Sequence, residues 1–222
     1  MREPNVQELK HIFRILLDTY GPQHWWPAST RFEIAIGAIL VQNTMWRNVK
    51  ISIKNLEKAG LLEPYRMYVA SSEKIANAIK TSGFPRLKTD RLRNFLKFFE
   101  NFSFDFDEMD KLETDSLRKS LLSVNGIGKE TADSLLLYIF NRPTLIVDAY
   151  TKRFFLRLGY SPLSFKEKGK SQLMNALKND PSELGEFHAL VVQHSKAYCR
   201  TKPLCDKCPL SSICEFGGAY YD

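Results

Sequence analysis

Leu121-Leu122-Ser123-Val124-Asn125-Gly126-Ile127-Gly128-Lys129-Glu130-Thr131-Ala132 reads as the end of one helix, a tight turn and the start of a second helix. Two glycines within three positions let the backbone take positive φ and approach a ligand closely. The N–H groups from Asn125 through Gly126, Ile127 and Gly128, followed by the positive end of a helix dipole at Lys129 and Thr131, suit a phosphate oxygen. Contacts of that kind position a polyanion without reading its sequence. A Gly-x-Gly turn alone is a weak signal, because any helix connection can use glycine. A dinucleotide site is disfavoured, since no strand precedes the turn and a third glycine is missing.

Outward from the turn, helical periodicity dominates. Val6, Leu9, Ile12, Phe13 and Leu16 form one apolar face, with Asn5 as cap, Glu8 closing a capping box and Gly21-Pro22 as terminator. Residues 31–41 are apolar almost all round, as in a buried central helix. That helix stops near Gln42-Asn43-Thr44, where Asn43 or Thr44 is placed to cap a helix carrying Trp46, Val49, Ile53 and Leu56. Further helices are predicted near 72–80, 87–100, 114–123, 129–141, 149–158, 164–178 and 182–198. Only Thr144 to Val147 reads as extended. With no fixed-period repeat and no low-complexity tract, the expectation is an all-α protein.

The 222 residues carry 32 Lys+Arg against 25 Asp+Glu, a formal charge of +7, which favours polyanionic partners. The polar start Met1-Arg2-Glu3-Pro4-Asn5 lacks the apolar core of a signal peptide, so a cytosolic or nuclear setting is expected. The longest apolar run, Ile34 to Val41, is far short of the roughly 20 residues that span a bilayer, and no membrane partner is expected.

All four cysteines fall within 16 positions, as Cys199-x5-Cys205-x2-Cys208-x5-Cys214. In a reducing compartment such crowding points to metal binding or catalysis rather than disulfides. One short loop presenting four thiolates suits a [4Fe-4S] cluster. Zinc remains an alternative, though it usually pairs two short-spaced knuckles and only one is present; free thiols are the remaining one. Lys196, Arg200, Lys202 and Lys207 in and before the loop suit phosphates better than the partners of a redox carrier.

Asp148, 20 positions after Gly128, opens a helix, and an N-cap is its plainest reading. Taken in order, Val124-Asn125-Gly126-Ile127-Gly128, Val147-Asp148 and His194-Ser195-Lys196 running into the cysteine loop resemble the helix-hairpin-helix DNA glycosylases of the endonuclease III superfamily. The resemblance covers nearly the whole chain. It implies two helical lobes around a DNA-binding cleft, one of residues 28–140 and one of 1–27 with 141–222, the cluster loop being 199–214. It also implies that the hairpin grips DNA beside the lesion and that Asp148 is catalytic, opposing positive charge on the deoxyribose or orienting water.

Members that also cut the strand carry a lysine where Glu130 stands here, and glutamate cannot form a Schiff base. Lys129 is turned about 100° away around the helix. A monofunctional glycosylase is therefore expected. Trp25-Trp26-Pro27 and Gln42-Asn43-Thr44-Met45-Trp46 resemble the 3-methyladenine glycosylase branch, where matching residues line the base pocket. Trp46 would stack on the flipped base and Gln42 would sit near the gap left in the duplex, with Glu130 at the substrate.

The partner so implied is double-stranded DNA holding a damaged base, bound by a monomer in the cytoplasm of a prokaryote or the nucleus of a eukaryote. The sequence departs from endonuclease III in having five rather than six residues between its first two cysteines. Two rivals stand beside this reading: an endonuclease III type acting on oxidised pyrimidines through another lysine, and a non-catalytic, cluster-bearing DNA-binding module.

Overall fold

The structure, a computed structural model, describes residues 5–162 and 167–218. It is helical, and the only β-type pairing among the described residues is a single bridge residue, Tyr160. No helix among them is long and apolar enough to cross a membrane. The chain divides into two compact units, one of Met1–Trp25 with Asn141–Asp222 and one of Trp26–Phe140.

In the continuous unit, helix α2 (Arg31–Leu40) is the axis of the core. Thr30 caps it by accepting the Glu33 N–H at 3.1 Å, and Phe32, Ala35, Ile36, Gly37, Ala38, Ile39 and Leu40 are all buried. A helix apolar on every side needs partners on every side. It finds them in α3 (Trp46–Lys58), α6 (Pro85–Glu100) and α9 (Lys129–Tyr138). Four shorter helices complete the unit: α4 (Pro64–Val69), α5 (Ser72–Ala78), α7 (Phe106–Asp110) and α8 (Thr114–Leu122). Lys88 of α6 is 1 % exposed and donates to the carbonyls of Leu40 at 2.7 Å and Ser82 at 2.6 Å. It thus satisfies the C-terminal end of α2. Burial, helped by the nearby Arg91 charge, pushes its ammonium down to about 8.

The discontinuous unit holds α1 (Val6–Tyr20), α10 (Ala149–Arg157), α11 (Glu167–Ala176), α12 (Pro181–Ala197) and the short α13 (Glu215–Gly218). Asn5 caps α1 by accepting the Gln7 N–H at 2.8 Å. Asp180 caps α12, with Pro181 at the first helical position where no N–H is needed. Helix α12 packs on both α1 and α10, joined by buried Ile12, Leu16, Phe154, Phe187 and Leu190.

Residues 141–148 are non-helical and join no ladder; Leu145 and Ile146 are each 2 % exposed, so the run is a connection with buried side chains. Local expectations fail in two places. Neither Asn43 nor Thr44 caps α3, whose N-cap is Met45 without a side-chain bond. Asn43 has φ 55°, and Thr44 Oγ1 instead accepts from Asn48 at 3.1 Å. Helices α4 and α7 were not predicted, because six and five residues are too few to display a period. The beginning of the helix expected over 164–178 lies outside the described residues.

Candidate functional site

Asp148 is the N-cap of α10, and its Oδ1 accepts the Thr151 N–H at 2.7 Å. Its Oδ2 lies 3.5 Å from Nε2 of His188 on α12, with the two side chains 21 % and 10 % exposed. Burial raises the carboxyl, but the His188 ring and the Thr151 N–H together outweigh it and hold it below the ordinary carboxylate value. Farther along α12, Lys196 is also within electrostatic reach: burial lowers its ammonium and Asp148 raises it partly back. The result is an anionic carboxylate with one oxygen pinned by a helix N-terminus. Such a group can oppose developing positive charge or orient a water.

In the continuous unit, the hairpin lies between α8 and α9. Gly126 has φ 98°, but Gly128 is extended at φ −89° and ψ 178°, so only one of the two glycines uses its freedom. A Cβ on Gly126 would sit 2.3 Å from Arg91 Cγ, whereas at Gly128 it would meet open space. Ile127 is 4 % exposed and its N–H bonds to Val124 O at 3.0 Å. It anchors the turn to the core. Asn125, Gly128, Lys129 and Glu130 are exposed, and Thr131 is buried. The first N–H groups of α9 have no intrahelical partner by helix geometry, an arrangement that suits an anion.

The turn's carbonyls are held from beneath. Gln42 Nε2 donates to Gly126 O at 3.1 Å and to Thr131 Oγ1 at 2.9 Å, Arg91 donates to Gln42 Oε1, and Asn94 Nδ2 donates to Asn125 O at 3.0 Å. In this structure, therefore, the amide of Gln42 is engaged by the hairpin.

Trp46, the first residue of α3, meets Trp26 edge to face with ring centroids 5.1 Å apart, and Trp26 meets Tyr138 of α9 at 5.4 Å. Gly37 of α2 makes room: a Cβ there would lie 3.3 Å from Trp26 and 3.4 Å from Trp46. Exposed Pro27 follows in the same unit, while Trp25 belongs to the other.

All four cysteines line one cavity, partly open to solvent, together with Phe154, Arg157 and His194. Arg157 Nη1 donates to Cys199 Sγ at 3.4 Å and to Arg200 O at 2.6 Å. Nε2 of His194 lies 3.6 Å from Cys208 Sγ, and its Nδ1 lies 3.0 Å from the Tyr20 hydroxyl. Burial first, and then the charges of neighbouring thiols, push Cys205 and Cys214 up and Cys208 to about 11. Thiols so raised ionise together only beside a compensating cation, the chemistry of a metal site. Among the described residues no three His, Cys, Asp or Glu side chains converge as ligands of a single ion would. Arg200, Lys202 and Lys207 are exposed on the same loop, and Arg200 Nε turns back to Lys196 O at 2.9 Å.

A family model, HhH-GPD superfamily base excision DNA repair protein, matches residues 36–179. The chain belongs to this superfamily. Membership makes it a base-excision DNA glycosylase, related to endonuclease III. This HhH-GPD protein is 46 % identical over 222 aligned residues, 96 % of its length and 99 % of the relative's, to MJ1434 of Methanocaldococcus jannaschii, a DNA repair glycosylase by name. It is 28 % identical to endonuclease III of Sulfolobus acidocaldarius over 83 % of this chain and 82 % of the other. Among solved structures, the H. pylori 3-methyladenine DNA glycosylase MagIII bound to 1,N6-ethenoadenine is similar, at 30 % identity and TM-score 0.71, covering 86 % of this chain and 95 % of that one.

Sequence alone does not single out His188, Arg91, Asn94 or Tyr20 of this HhH-GPD protein, and it shows His194 only as part of the segment that carries the resemblance. Each reads in sequence as an ordinary polar residue on a helix. Each meets its partner only through tertiary packing, across 174 positions for Tyr20 and His194.

Proposed function

We propose that this glycosylase hydrolyses the N-glycosidic bond of alkylated purines such as 3-methyladenine in double-stranded DNA and leaves the strand intact. The observation that carries the substrate class is the aromatic group of Trp26, Trp46 and Tyr138, seated on Gly37. A methylated purine is cationic and is drawn to an electron-rich ring face. Stacking worth roughly 1–3 kcal/mol per base selects it, and its charge makes it a good leaving group without strong acid assistance. The target base is first rotated out of the duplex. The likeness to MagIII supports the same class.

Asp148 then opposes the positive charge that grows on the deoxyribose or orients the attacking water. Glu130, exposed in the first turn of α9, offers no amine for strand cleavage. The hairpin with Lys129, and the loop with Lys196, Arg200 and Lys202, hold phosphates. In this reading Cys199, Cys205, Cys208 and Cys214 hold a [4Fe-4S] cluster, supported by their common cavity and by the Arg157 and His194 donors. The cluster fixes the basic loop.

Base release from methylated, oxidised and mismatched duplexes tests the proposal; release confined to N-methylpurines is expected. A second reading, action on oxidised pyrimidines with strand cleavage, is favoured by the endonuclease III relatives. A covalent adduct on borohydride trapping would establish it in place of the first.

A further inference from the structure

Helix α12 brings a second side chain to the carboxylate that α10 carries. We infer that His188 is a positioning residue for Asp148, fixing Oδ2 in the orientation that faces the reacting sugar. The inference rests on the reading of Asp148 as the catalytic carboxylate and deepens it.

An aspartate N-cap fixes one carboxylate oxygen, here Oδ1 on the Thr151 N–H. The terminal torsion of aspartate is broad and nearly two-fold, so one contact leaves the plane of the carboxylate poorly determined. His188 supplies the second contact, 3.5 Å from Oδ2 and nine-tenths covered. That separation is long for a hydrogen bond, and catalytic contacts of this sort tighten when substrate binds.

The other groups around Asp148 act differently. Lys196 of α12 acts on it through space, with its Nζ 6.0 Å from the Tyr150 ring. On α10, Arg153 lies over the same ring at 5.2 Å and donates to Cys199 O at 2.8 Å. The short α13 packs on α10 too, but at the opposite end, where Glu215 lies beside Gly159 and Arg157 lies over Phe216. Among these, His188 is the group that touches Oδ2.

The test uses the full-length protein in single-turnover release of N-methylpurines from methylated duplex DNA. His188→Leu is expected to lower the rate of base release about 10- to 100-fold, while affinity for a duplex holding a tetrahydrofuran abasic analogue changes less than about twofold. Its acid limb moves to higher pH, because removing the ring leaves burial to raise the Asp148 carboxyl. His188→Gln keeps an N–H donor near the same place, so the rate returns to within about fivefold of wild type and the acid limb moves back.

A wild-type rate and acid limb in His188→Leu would overturn the inference, as would equal loss in Leu and Gln variants. If the Leu variant does not fold, the Gln variant decides, with impairment equal to that of Asp148→Asn as the contrary result. Wild-type protein that releases no base removes the functional reading and this inference together. Release by wild type with unaltered His188→Leu removes the inference alone.

Discussion

The Tyr20 hydroxyl and Nδ1 of His194 lie 3.0 Å apart, and the opposite nitrogen of that ring faces Cys208 Sγ at 3.6 Å. Burial pushes His194 down to about 4 and raises Tyr20. The imidazole is therefore neutral, and a hydroxyl donating to Nδ1 leaves Nε2–H to donate to sulfur. In the cluster reading proposed above, ligand sulfurs held by such donors are better fixed. His194→Leu is expected to lose its absorbance near 400 nm faster than wild type in air. Tyr20→Phe, which removes one part-buried hydrogen bond, should cost about 1 kcal/mol in denaturant unfolding. Equal bleaching rates for His194→Leu and wild type would count against the N–H···S contact.

The two hairpin glycines should behave oppositely. Gly126→Ala combines positive φ with a Cβ driven into Arg91, and is expected to cost about 1–3 kcal/mol and to weaken DNA binding. Gly128→Ala, with extended backbone and open space, should leave stability within about 0.5 kcal/mol. Guanidinium unfolding of the two variants checks the contrast.

Gly37→Ala should act at the aromatic group without unfolding the protein. The added methyl lies 3.3 Å from Trp26 and 3.4 Å from Trp46, so the indoles must give by a few tenths of an ångström. A rise in KM for methylated duplex is expected, with little change in Tm. Trp46→Ala should lose about 1–3 kcal/mol of base binding, read as a roughly 5- to 150-fold loss of kcat/KM.

Lys88 gives a pH prediction whose sign follows from linkage. Its pKa falls from the ordinary lysine value to about 8 on folding, so between about pH 8 and about 10.4 the unfolded chain binds more protons at this residue than the folded chain. Lys88 therefore contributes a term that rises with pH across that window. The stability of wild type relative to Lys88→Met should increase from pH 7.5 to pH 10. A flat or falling difference would show that the ammonium is not desolvated.

Much of the fold could be read from sequence wherever a helix is long enough to show its period. Val6–Tyr20, the apolar Arg31–Leu40 and Pro181–Ala197 are such helices. The short Pro64–Val69 was missed even though Glu63 before Pro64 is a start signal; its carboxylate accepts the Tyr65 and Arg66 N–H groups. At the candidate site, Asp148 and the glycine turn stand out because their chemistry is local: a cap, and a backbone that needs positive φ. His188, Arg91 and buried Lys88 do not. A histidine or lysine in a helix reads as solvent-facing until another element is packed against it. The resemblance puts Gln42 near the gap left in the duplex; that its amide bonds to Gly126 O and Thr131 Oγ1 is visible only in the packed structure.

The most direct measurement is base release from methylated duplex DNA by wild type and Asp148→Asn, with borohydride added in parallel. Wild type is expected to free N-methylpurines and leave alkali-labile but unnicked strands with no protein–DNA adduct, and Asp148→Asn to be slower by about 10²-fold or more. Undiminished release by Asp148→Asn, or a trapped adduct with nicked strands, would contradict this expectation.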